Sequence, residues 1–326
     1  MITIRDIAKA AGVSTATVSN ALNGRSNISE VTRQRILKIC EQMGYQSSSV
    51  GRALNDTDSK TLLFMVAEFD RQFYLKIIQG ISDHASARGY DLIICTDQSM
   101  DRLLSRSMTS GCIMLDMNCP DEQMIRRARQ GYPIVVLDRQ MKEPNIKSVL
   151  VNNYDAMTEL VQGLVDRGYR RFAFLAGNDT LDTRERFDAF QDVLKSNGIA
   201  FNRDYLLSGD FRDKSGIRAA NLLMLAGRLP QVLVCANDNM AAGAMRAFQE
   251  AGIRVPEDIA VTGFDDASTS EILGLTTVTI PNYERGYLAA QYLIAIINGS
   301  TNFDAFMLRA RVTWRKSVMP GIPIED

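Results

Sequence analysis

Residues 4–24 read IRDIAKAAGVSTATVSNALNG, and their pattern indicates the structure of the amino-terminal part of the chain. Two short amphipathic segments lie on either side of Gly12, and each follows a hydroxyl residue that can cap a helix. Thr3 and Asp6 have the spacing of a capping box, and Ser14 precedes the second segment. The stretch therefore predicts two helices joined by a tight turn.

A third helix is predicted directly after this pair. Ser29 can cap its first turn, and apolar residues then repeat at helical spacing as far as Gly44. Because three helices fall within about 45 residues, we expect them to share one small core. The apolar face of the third helix consists of Ile36, Ile39, Cys40 and Met43.

The second helix carries short side chains on its polar face. Short side chains let a helix backbone lie deep in the major groove of DNA and still reach base edges. Alternatively, these residues are only helix caps and solvated surface, which is the commoner meaning of one isolated Ser-x-x-Thr pattern. The residues concerned are Thr15, Ala16, Thr17, Ser19 and Asn20.

The charge of the chain is distributed unevenly. Residues 1–55 contain seven Lys or Arg and three acidic residues, a net charge of +4, so the remainder of this chain of net charge −1 sums to −5. A small basic head on a mildly acidic body favours a polyanion as the partner of the head.

Composition excludes several other classes of protein. Five scattered cysteines without a Cys-x-x-Cys pair predict neither a disulfide framework nor a zinc site. The single histidine, His84, argues against Ser-His catalysis and against an all-protein metal site. No run of 18 apolar residues and no secretion-signal pattern occurs, so we expect a cytoplasmic protein. Because no Gly-x-Gly-x-x-Gly or phosphate-binding loop is found, no cofactor is expected.

Residues 45–60, YQSSSVGRALNDTDSK, are polar and rich in serine. They contain a short helical pattern formed by Val50, Ala53 and Leu54. About eight residues cannot sustain an isolated helix, because nucleation is costly. We therefore expect a linker that stays disordered until it docks on a partner.

From Thr61 onward, apolar runs alternate with amphipathic helices, which predicts parallel sheets covered by helices on both faces. About 260 residues of this pattern exceed one sheet, so two lobes are expected. Helices are predicted over residues 75–88, 154–167, 184–197 and 239–251. The predicted strands are TLLFMVAEF, DLIIC, GCIMLDM, PIVVLD, SVLVNN, RFAFLAG, VLVCAND, IAVTGFDD and TTVTI.

Polar residues follow many of these strands. Ligands of parallel sheets bind at the carboxyl ends of the strands, so an acid- and amide-rich cleft is expected there. With aromatic residues at its mouth, such a cleft suits a polyhydroxylated molecule such as a sugar, although each residue alone could be an ordinary turn residue. The polar set is Asp138, Arg139, Asn152, Asn153, Asn237, Asp238, Asp265 and Asp266, and the aromatic set is Phe73, Tyr74 and Phe211.

Taken together, these segments resemble the lactose/galactose repressor family of bacterial transcription regulators. The resemblance lies in TIRDIAKAAGVSTATVSNALNG, SEVTRQRI, MGY and SSSVGRAL in the head and linker, and in DRGYRRFAFLAG, RERFDAF, LVCANDNMAAGAM, GIRVPEDIAVTGFDD, LTTV and RVTWRKS in the core. It implies a small all-α helix-turn-helix domain joined to an α/β core of two doubly wound parallel-sheet lobes, the type I periplasmic-binding-protein-like fold.

The resemblance also divides the chain into segments. It implies a DNA-binding domain, a hinge helix or linker, and an effector-binding core whose two lobes are each assembled from separate parts of the chain. The segments are 1–46 for the DNA-binding domain, 47–58 for the hinge, and 59–326 for the core, with the first lobe at about 59–151 and 282–312 and the second at about 152–281 and 313–326.

Roles in DNA binding follow from the same resemblance. Thr15, Ala16 and Asn20 correspond to base-contacting positions, and Asn20 can pair with adenine N6 and N7. Leu54 corresponds to a leucine that wedges into the minor groove, unless it is simply a linker residue touching the core. Val50 and Ala53 would pack the two hinge helices together. The other implied DNA contacts are Ser14, Thr17, Ser19 and Arg33 to phosphates, with Thr3, Asn23, Tyr45 and Arg52.

The implied effector site centres on Arg186 and Asp265, which could instead form an ion pair between the lobes. Three departures from the family pattern affect the core: Asn152 replaces a common aspartate, Tyr169 a common histidine, and the segment between Asp97 and Gly111 is shorter than usual. The implied effector contacts are Phe73, Tyr74, Asp138, Arg186, Phe211, Asp238 and Asp265.

The function implied is that of a sequence-specific DNA-binding regulator, expected to be a repressor. Its expected partners are a pseudo-palindromic operator, a small effector such as a sugar, and a second copy of the chain, with a dimer favoured over a tetramer and no membrane partner. One alternative is a solute-binding protein of a sugar transport system. Another is an enzyme using Asp138, Asp265 and Arg186, although no nucleophile or general base is evident.

Overall fold

A computed structural model describes residues 2–22, 28–43, 59–69, 71–105, 108–300 and 305–321. The predicted hinge, residues 47–58, and the predicted helix stop at Gly44 lie outside these ranges. So do six of the residues with predicted DNA contacts, namely Asn23, Tyr45, Val50, Arg52, Ala53 and Leu54.

The head contains the three predicted helices. The Thr3 backbone N–H donates to the Asp6 carboxylate at 2.8 Å, so the capping box is formed. Ser14 and Ser29 cap the next two helices by accepting backbone N–H groups. Gly12 ends the first helix in the left-handed conformation, with φ +63°. The helices are α1 (Ile4–Ala11), α2 (Thr15–Leu22) and α3 (Glu30–Gln42).

Apolar residues from all three helices form the core of the head. Ile7, Val18 and Ile36 are fully buried in one cluster, which is what the helical spacing predicts. Arg35 of α3 also donates to the carbonyl oxygen of Ala11 at 3.0 Å, which ties α3 to the end of α1. The orientation of α2 is therefore fixed by packing.

The remaining elements alternate between strands and helices. In chain order they are β1 (Thr61–Val66), α4 (Tyr74–Ser86), β2 (Asp91–Cys95), α5 (Met100–Leu103), β3 (Gly111–Leu115), α6 (Asp121–Arg129), β4 (Ile134–Val136), β5 (Ile146–Val151), α7 (Asn153–Asp166), β6 (Phe172–Ala176), α8 (Leu181–Ser196), β7 (Leu206–Ser208), α9 (Asp213–Leu225), β8 (Val232–Cys235), α10 (Asp238–Glu250), β9 (Ala260–Thr262), α11 (Ser268–Leu273), β10 (Thr277–Thr279), α12 (Asn282–Ile297), β11 (Phe306–Leu308) and β12 (Arg311–Thr313).

The first lobe is built on a sheet with strand order β11-β5-β4-β3-β1-β2, in which every neighbouring pair is parallel. Successive residues of β1 point to opposite faces: Phe64 packs with α4 and α12, whereas Met65 packs with α6. Strand β2 lies at the edge, so Asp91 and Ile93 are exposed. Between β2 and β3, in the segment that we expected to be shorter than usual, lies the four-residue helix α5.

The second lobe has a parallel sheet in the order β7-β6-β8-β9 and an antiparallel pair, β10 with β12. Its core includes Phe174, Phe190 and Phe248, all fully buried. Helices α7 to α10 contribute the other sides of this core. Both lobes therefore have the expected doubly wound α/β construction.

The chain crosses between the lobes three times, after β5, between β10 and α12, and between β11 and β12. The predicted last boundary, at about residue 312, falls inside β12, which pairs with β10 of the second lobe. Strand pairing thus puts this crossing slightly earlier, between Leu308 and Arg311.

Each lobe holds two of its helices together through a pair of glycines. In the first lobe, a Cβ at Gly80 would overlap the carbonyl oxygen of Tyr283, and one at Gly286 would overlap that of Ile77. In the second lobe, Gly216 and Gly243 make the same close approach between α9 and α10. Larger residues at these positions would force the helices apart.

The nine predicted strands correspond to β1 to β6 and β8 to β10. Strands β7, β11 and β12 were not predicted; each has three residues and lies outside the longer apolar runs of the sequence. Helix α8 begins at Leu181, three residues before the predicted start, because the Thr180 side chain caps it.

Candidate functional site

The exposed face of α2 carries the short polar residues singled out in the sequence. Thr15 and Ala16 are exposed, while Thr17, Ser19 and Asn20 are partly exposed. The opposite face, with Val18 and Ala21, is buried against α1 and α3. Helix α2 therefore presents a slim polar surface on a rigid support.

Some of the predicted DNA contacts are already engaged within the head. The Ser14 and Thr17 hydroxyl oxygens lie 2.9 Å apart, and the Thr3 hydroxyl donates to Asp6 at 2.7 Å. Arg33 lies 3.7 Å from Glu30 in an exposed ion pair, and its Nε is buried without a hydrogen-bond partner. Arg33 and one hydroxyl of the Ser14–Thr17 pair keep donor capacity for a phosphate group, whereas the Thr3 hydroxyl hydrogen is used by Asp6.

A cavity of about 240 Å³ lies between the two lobes of the core. Its walls follow the carboxyl ends of strands from both sheets, as the rule for parallel sheets predicts. The first lobe contributes Ala67, Glu68, Arg71, Phe73, Tyr74, Leu115, Met117, Asn118, Asp138 and Arg285, and the second lobe contributes Asn178, Thr180, Asp182, Arg186, Phe211, Asn237 and Asp265, with Ile280 between them.

Six of the seven predicted effector contacts line this cavity, namely Phe73, Tyr74, Asp138, Arg186, Phe211 and Asp265. Phe73 and Tyr74 pack edge to face with ring centroids 4.6 Å apart. Phe211 adopts a positive φ of +66° and lies over Gly177, where a Cβ would overlap its ring. Aromatic side chains thus approach the cavity from both lobes.

Contrary to the prediction, Asp238, the seventh predicted effector contact, does not line the cavity. Its carboxylate accepts hydrogen bonds from the backbone N–H of Ala267 at 2.7 Å, the Ser270 hydroxyl at 2.6 Å and the Thr277 hydroxyl at 2.5 Å. Burial raises its pKa to about 6 despite these bonds. Asp238 therefore joins α10, α11 and β10, and the neighbouring Asn237 reaches the cavity instead.

Arg186 is the centre of a polar network in the second lobe. Its Nε and Nη2 donate to the Asn153 side-chain oxygen at 3.1 and 2.9 Å, and its Nη1 donates to the Ala236 carbonyl at 2.5 Å. Its Nη2 lies 3.9 Å from carboxylate oxygens of Asp182 and Asp265. Because Arg186 and Asp265 are on the same lobe, their pair does not bridge the lobes.

Asp265 is held in an uncommon backbone conformation, with φ +114°. Its side chain is only 12% exposed, and burial raises its pKa to about 7, although the Arg186 charge opposes this. Near neutral pH this group can therefore accept or donate a hydrogen bond. Asp138, on the other lobe, accepts both Nε and Nη2 of Arg139 at 3.0 and 3.1 Å, while burial raises its pKa.

Sequence reasoning missed several cavity residues. Glu68 follows the end of β1 by two residues, so the strand-end rule that selected Asp138 could have found it. Asp182 lies one turn before Arg186 on α8, a spacing that would also have selected it. Arg285 gave no usable signal, because it lies within a helix and not at a strand end.

Polar contacts connect the two lobes next to the cavity. Glu68 accepts from Arg71 Nε at 2.7 Å and also from Arg212 of the second lobe. The Ser268 hydroxyl donates to the Gln72 side chain at 3.3 Å. The Arg71 guanidinium also lies 5.1 Å from the centre of the Phe211 ring.

All five cysteines are buried and unbridged. Within the described ranges, no cluster of three or more His, Cys, Asp or Glu residues is arranged to hold a metal ion. In the same part of the chain, no helix combines the length and apolar character needed to cross a bilayer.

Two family models match the chain. Residues 3–48 match the lacI family of bacterial regulatory proteins, and residues 161–318 match a periplasmic binding protein-like domain. The first match covers the head, and the second covers most of the second lobe together with the last elements of the first.

Curated relatives and solved structures agree with these matches. The transcriptional repressor CytR of Escherichia coli is 30% identical, covering 91% of this chain and 90% of its own, and the catabolite control protein A of Priestia megaterium is 28% identical, covering 97% and 99%. A lac repressor dimer bound to operator and an anti-inducer is similar with a TM-score of 0.79 and 26% identity, covering 98% and 99%. The regulator CelR in complex with cellobiose is similar with a TM-score of 0.71 and 28% identity, covering 97% and 100%. The chain therefore belongs to the lacI family of bacterial regulatory proteins.

Proposed function

We propose that this protein is a cytoplasmic transcriptional repressor whose affinity for an operator is set by a small molecule bound between the lobes of its core. The observation that carries this proposal is the combination, in one chain, of a rigid head with a slim exposed helix and a core whose cavity is walled by both lobes. A molecule held by both walls binds one lobe arrangement better than another, which is the requirement for control at a distance.

The head is proposed to read DNA with α2 in the major groove. Thr15, Ala16 and Asn20 would contact base edges, while Arg33 and the hydroxyl groups near the start of α2 would contact phosphates. Leu54 in the hinge would enter the minor groove and kink the duplex. The hydroxyl set is Ser14, Thr17 and Ser19, and the remaining proposed contacts are Thr3, Asn23, Tyr45, Val50, Arg52 and Ala53.

A homodimer is proposed because two copies of so small a head would read a pseudo-palindromic operator, with one half-site for each head. The similar lac repressor structure is itself a dimer on operator. The segments proposed for this task are 1–46 for reading DNA, 47–58 for the hinge and 59–326 for the core. No catalytic activity is proposed.

The cavity is proposed to bind a sugar or a sugar derivative. Carboxylates, amides and aromatic rings line it together, and this mixture suits the hydroxyl groups and apolar faces of a sugar ring. The similar CelR structure contains cellobiose. Binding would change the angle between the lobes and thereby gather or spread the two hinges. A coupling free energy of about 1–3 kcal/mol would change operator affinity roughly 5- to 150-fold.

The test uses the purified full-length protein. Its operator is selected from random duplexes, and the affinity for that operator is measured by fluorescence anisotropy with and without candidate sugars. We expect at least one compound to bind the core and to shift the affinity for the operator. A compound that binds the cavity and leaves DNA affinity unchanged would contradict control by that site, and no preference for any duplex would contradict DNA reading.

A further inference from the structure

Arg285 is a buried cation in the wall of the cavity. It projects from α12 in the first lobe, lines the cavity and is only 5% exposed. One of its terminal nitrogens donates to the Leu137 carbonyl oxygen, while its Nε is buried without a hydrogen-bond partner. Among the described residues, no carboxylate forms an ion pair with it.

The other arginines of the cavity are paired. Arg71 donates to Glu68, and Arg186 has two hydrogen bonds to Asn153 and two carboxylates within 3.9 Å. Asp138 follows Leu137 directly in the chain, but its carboxylate already accepts hydrogen bonds from two nitrogens of Arg139.

The acidic groups of the cavity act on Arg285 only from beyond pairing distance. Burial lowers the pKa of Arg285, and the Arg186 charge adds to this effect. Asp182, Asp138 and Asp265 favour the charged form of Arg285 but do not outweigh burial. A buried charge without a close counter-ion is unfavourable, so the site would gain from an added anion. Protonation of Asp265 near neutral pH would reduce the repulsion that such an anion meets.

We propose that the effector is an anionic sugar derivative, whose carboxylate or phosphate pairs with Arg285 while its hydroxyl groups contact the polar residues of the second lobe. This inference rests on the proposed function, because it names the chemistry of the ligand of that same site. At about 30 Å³ for each water, the cavity of 240 Å³ has room for about eight waters, which suits one sugar ring with an acidic substituent.

Such a ligand would connect the lobes directly. Its acidic group would be held by α12 of the first lobe, and its hydroxyl groups would reach Asp265 and Asp182 of the second lobe. Arg285 would thus select for charge, while the second lobe would select for sugar stereochemistry.

Isothermal titration calorimetry on the full-length protein tests this inference. The ligands are a panel of pentoses and hexoses, each as the neutral sugar, the aldonate, the uronate and the terminal phosphate, with inorganic phosphate included. We expect the tightest binding within the acid or phosphate arms, and the comparison of these arms identifies the oxyanion. A neutral sugar as the tightest ligand, or no binding in any arm, would overturn the proposal.

Substitution of Arg285 provides the second readout. Arg285→Met keeps an unbranched stem of similar length to the aliphatic part of arginine but removes the charged guanidinium group. It should weaken binding of the anionic ligand by at least about 30-fold, with less than about 3-fold change for the matching neutral sugar. Arg285→Lys should restore part of the affinity, and Arg129→Met, on the exposed surface of the same lobe, should leave it unchanged. Equal binding of the anion by the wild-type and methionine proteins would contradict the pairing.

The outcomes also separate this inference from the proposed function. An anion that needs Arg285 but leaves operator affinity unchanged would preserve the inference and contradict effector control. A neutral sugar that shifts operator affinity would preserve effector control and contradict the inference. If Arg285→Met does not fold, as judged by its thermal transition, Arg285→Lys alone provides the test. It should reduce affinity for the anion more than affinity for the neutral sugar. An equal effect on both ligands would overturn the inference.

Discussion

Arg212 of the second lobe donates a hydrogen bond to Glu68 of the first lobe at the mouth of the cavity. Glu68 also accepts from Arg71 Nε at 2.7 Å, so one carboxylate joins a cation of its own lobe to a cation of the other. Both arginines lower the pKa of Glu68 against the effect of burial, which keeps it charged. These contacts favour the closed arrangement of the lobes.

Replacing Glu68 with glutamine should weaken this closure. Because the pair is partly exposed, its removal should cost about 1 kcal/mol or less and reduce effector affinity by roughly 2- to 5-fold, and the effect should shrink at high salt. Glu143→Gln is the matched control, since Glu143 pairs with Arg129 at 3.0 Å within the first lobe. Calorimetric titration measures both variants, and equal affinities for Glu68→Gln and wild type would show that the contact does not contribute to closure.

Asp265 should make the stability of the protein depend on pH. Its folded pKa of about 7 is above the ordinary value of 3.8, so the folded state keeps a proton that the unfolded state has already lost. This contribution to stability is fully present below about pH 4 and is lost as the pH rises through about 7. Relative to Asp265→Asn, which does not titrate, the free energy of unfolding of the wild type should fall by up to about 1.4 kcal/mol per pH unit between pH 4 and 7.

Urea unfolding of the two ligand-free proteins across that range measures the difference. Only its slope with pH is diagnostic, because the substitution itself can add a constant offset. A difference that does not vary with pH would mean that Asp265 has an ordinary pKa in the folded protein.

Asp238 should prove important for folding and not for ligand selection. Asp238→Ala leaves the hydroxyl groups of Ser270 and Thr277 and the Ala267 N–H without their acceptor, so the free energy of unfolding should fall by about 3 kcal/mol. Asp258→Ala, which removes an exposed partner of Arg254, should have a much smaller effect. Among proteins that remain folded, a change in which sugar binds would restore Asp238 as a ligand contact.

Asn20 and Arg33 should have different effects on DNA binding. Asn20→Ala should reduce the free energy of binding to DNA with the preferred base pair by about 1–3 kcal/mol. It should also relax the base preference at that position, without changing the salt dependence of binding. Arg33→Ala should weaken binding to all sequences alike and reduce the log-log salt slope by about 0.9. Anisotropy titrations at several salt concentrations compare the two, and an exchange of these effects would reverse the assigned roles.

Leu54→Ala should reduce operator affinity without altering which half-site sequence is preferred. The proposed wedge would act on the central minor-groove step, whereas the half-sites would be read by α2. Selection of operators by the variant, followed by gel-based measurement of DNA bending, checks both parts. A changed half-site preference would show that Leu54 is not confined to the hinge role.

The strand-end rule predicted much of the site because parallel topology brings the carboxyl ends of strands together whatever residues lie between them. Asp138 and Asp265 were found in this way, although they are far apart in sequence. The rule could not distinguish Asn237 from Asp238, since both follow β8. Which of them faces the cavity depends on the three donors that surround Asp238, and these come from elements about 30 to 40 residues further along the chain.

Arg285 could not be predicted for a related reason. Helical periodicity assigns it to a buried face, and a buried arginine is ordinarily expected to have a nearby acid, but sequence does not tell whether that acid is already occupied. Similarly, the contact between Glu68 and Arg212 spans 144 residues and depends on the lobe angle. Local patterns therefore predicted the elements and the location of the site, but not its charge balance.

The glycine pairs that hold α4 against α12 and α9 against α10 have a mechanical consequence. The backbones within each helix pair are in contact, so one helix cannot slide over the other. A displacement of α12 must therefore also move α4, together with Phe73 and Tyr74 in the cavity wall. We therefore expect a movement induced at the cavity to occur at the three segments that cross between the lobes and not inside either lobe. For this reason, a ligand of modest affinity can rotate one lobe against the other as a rigid body.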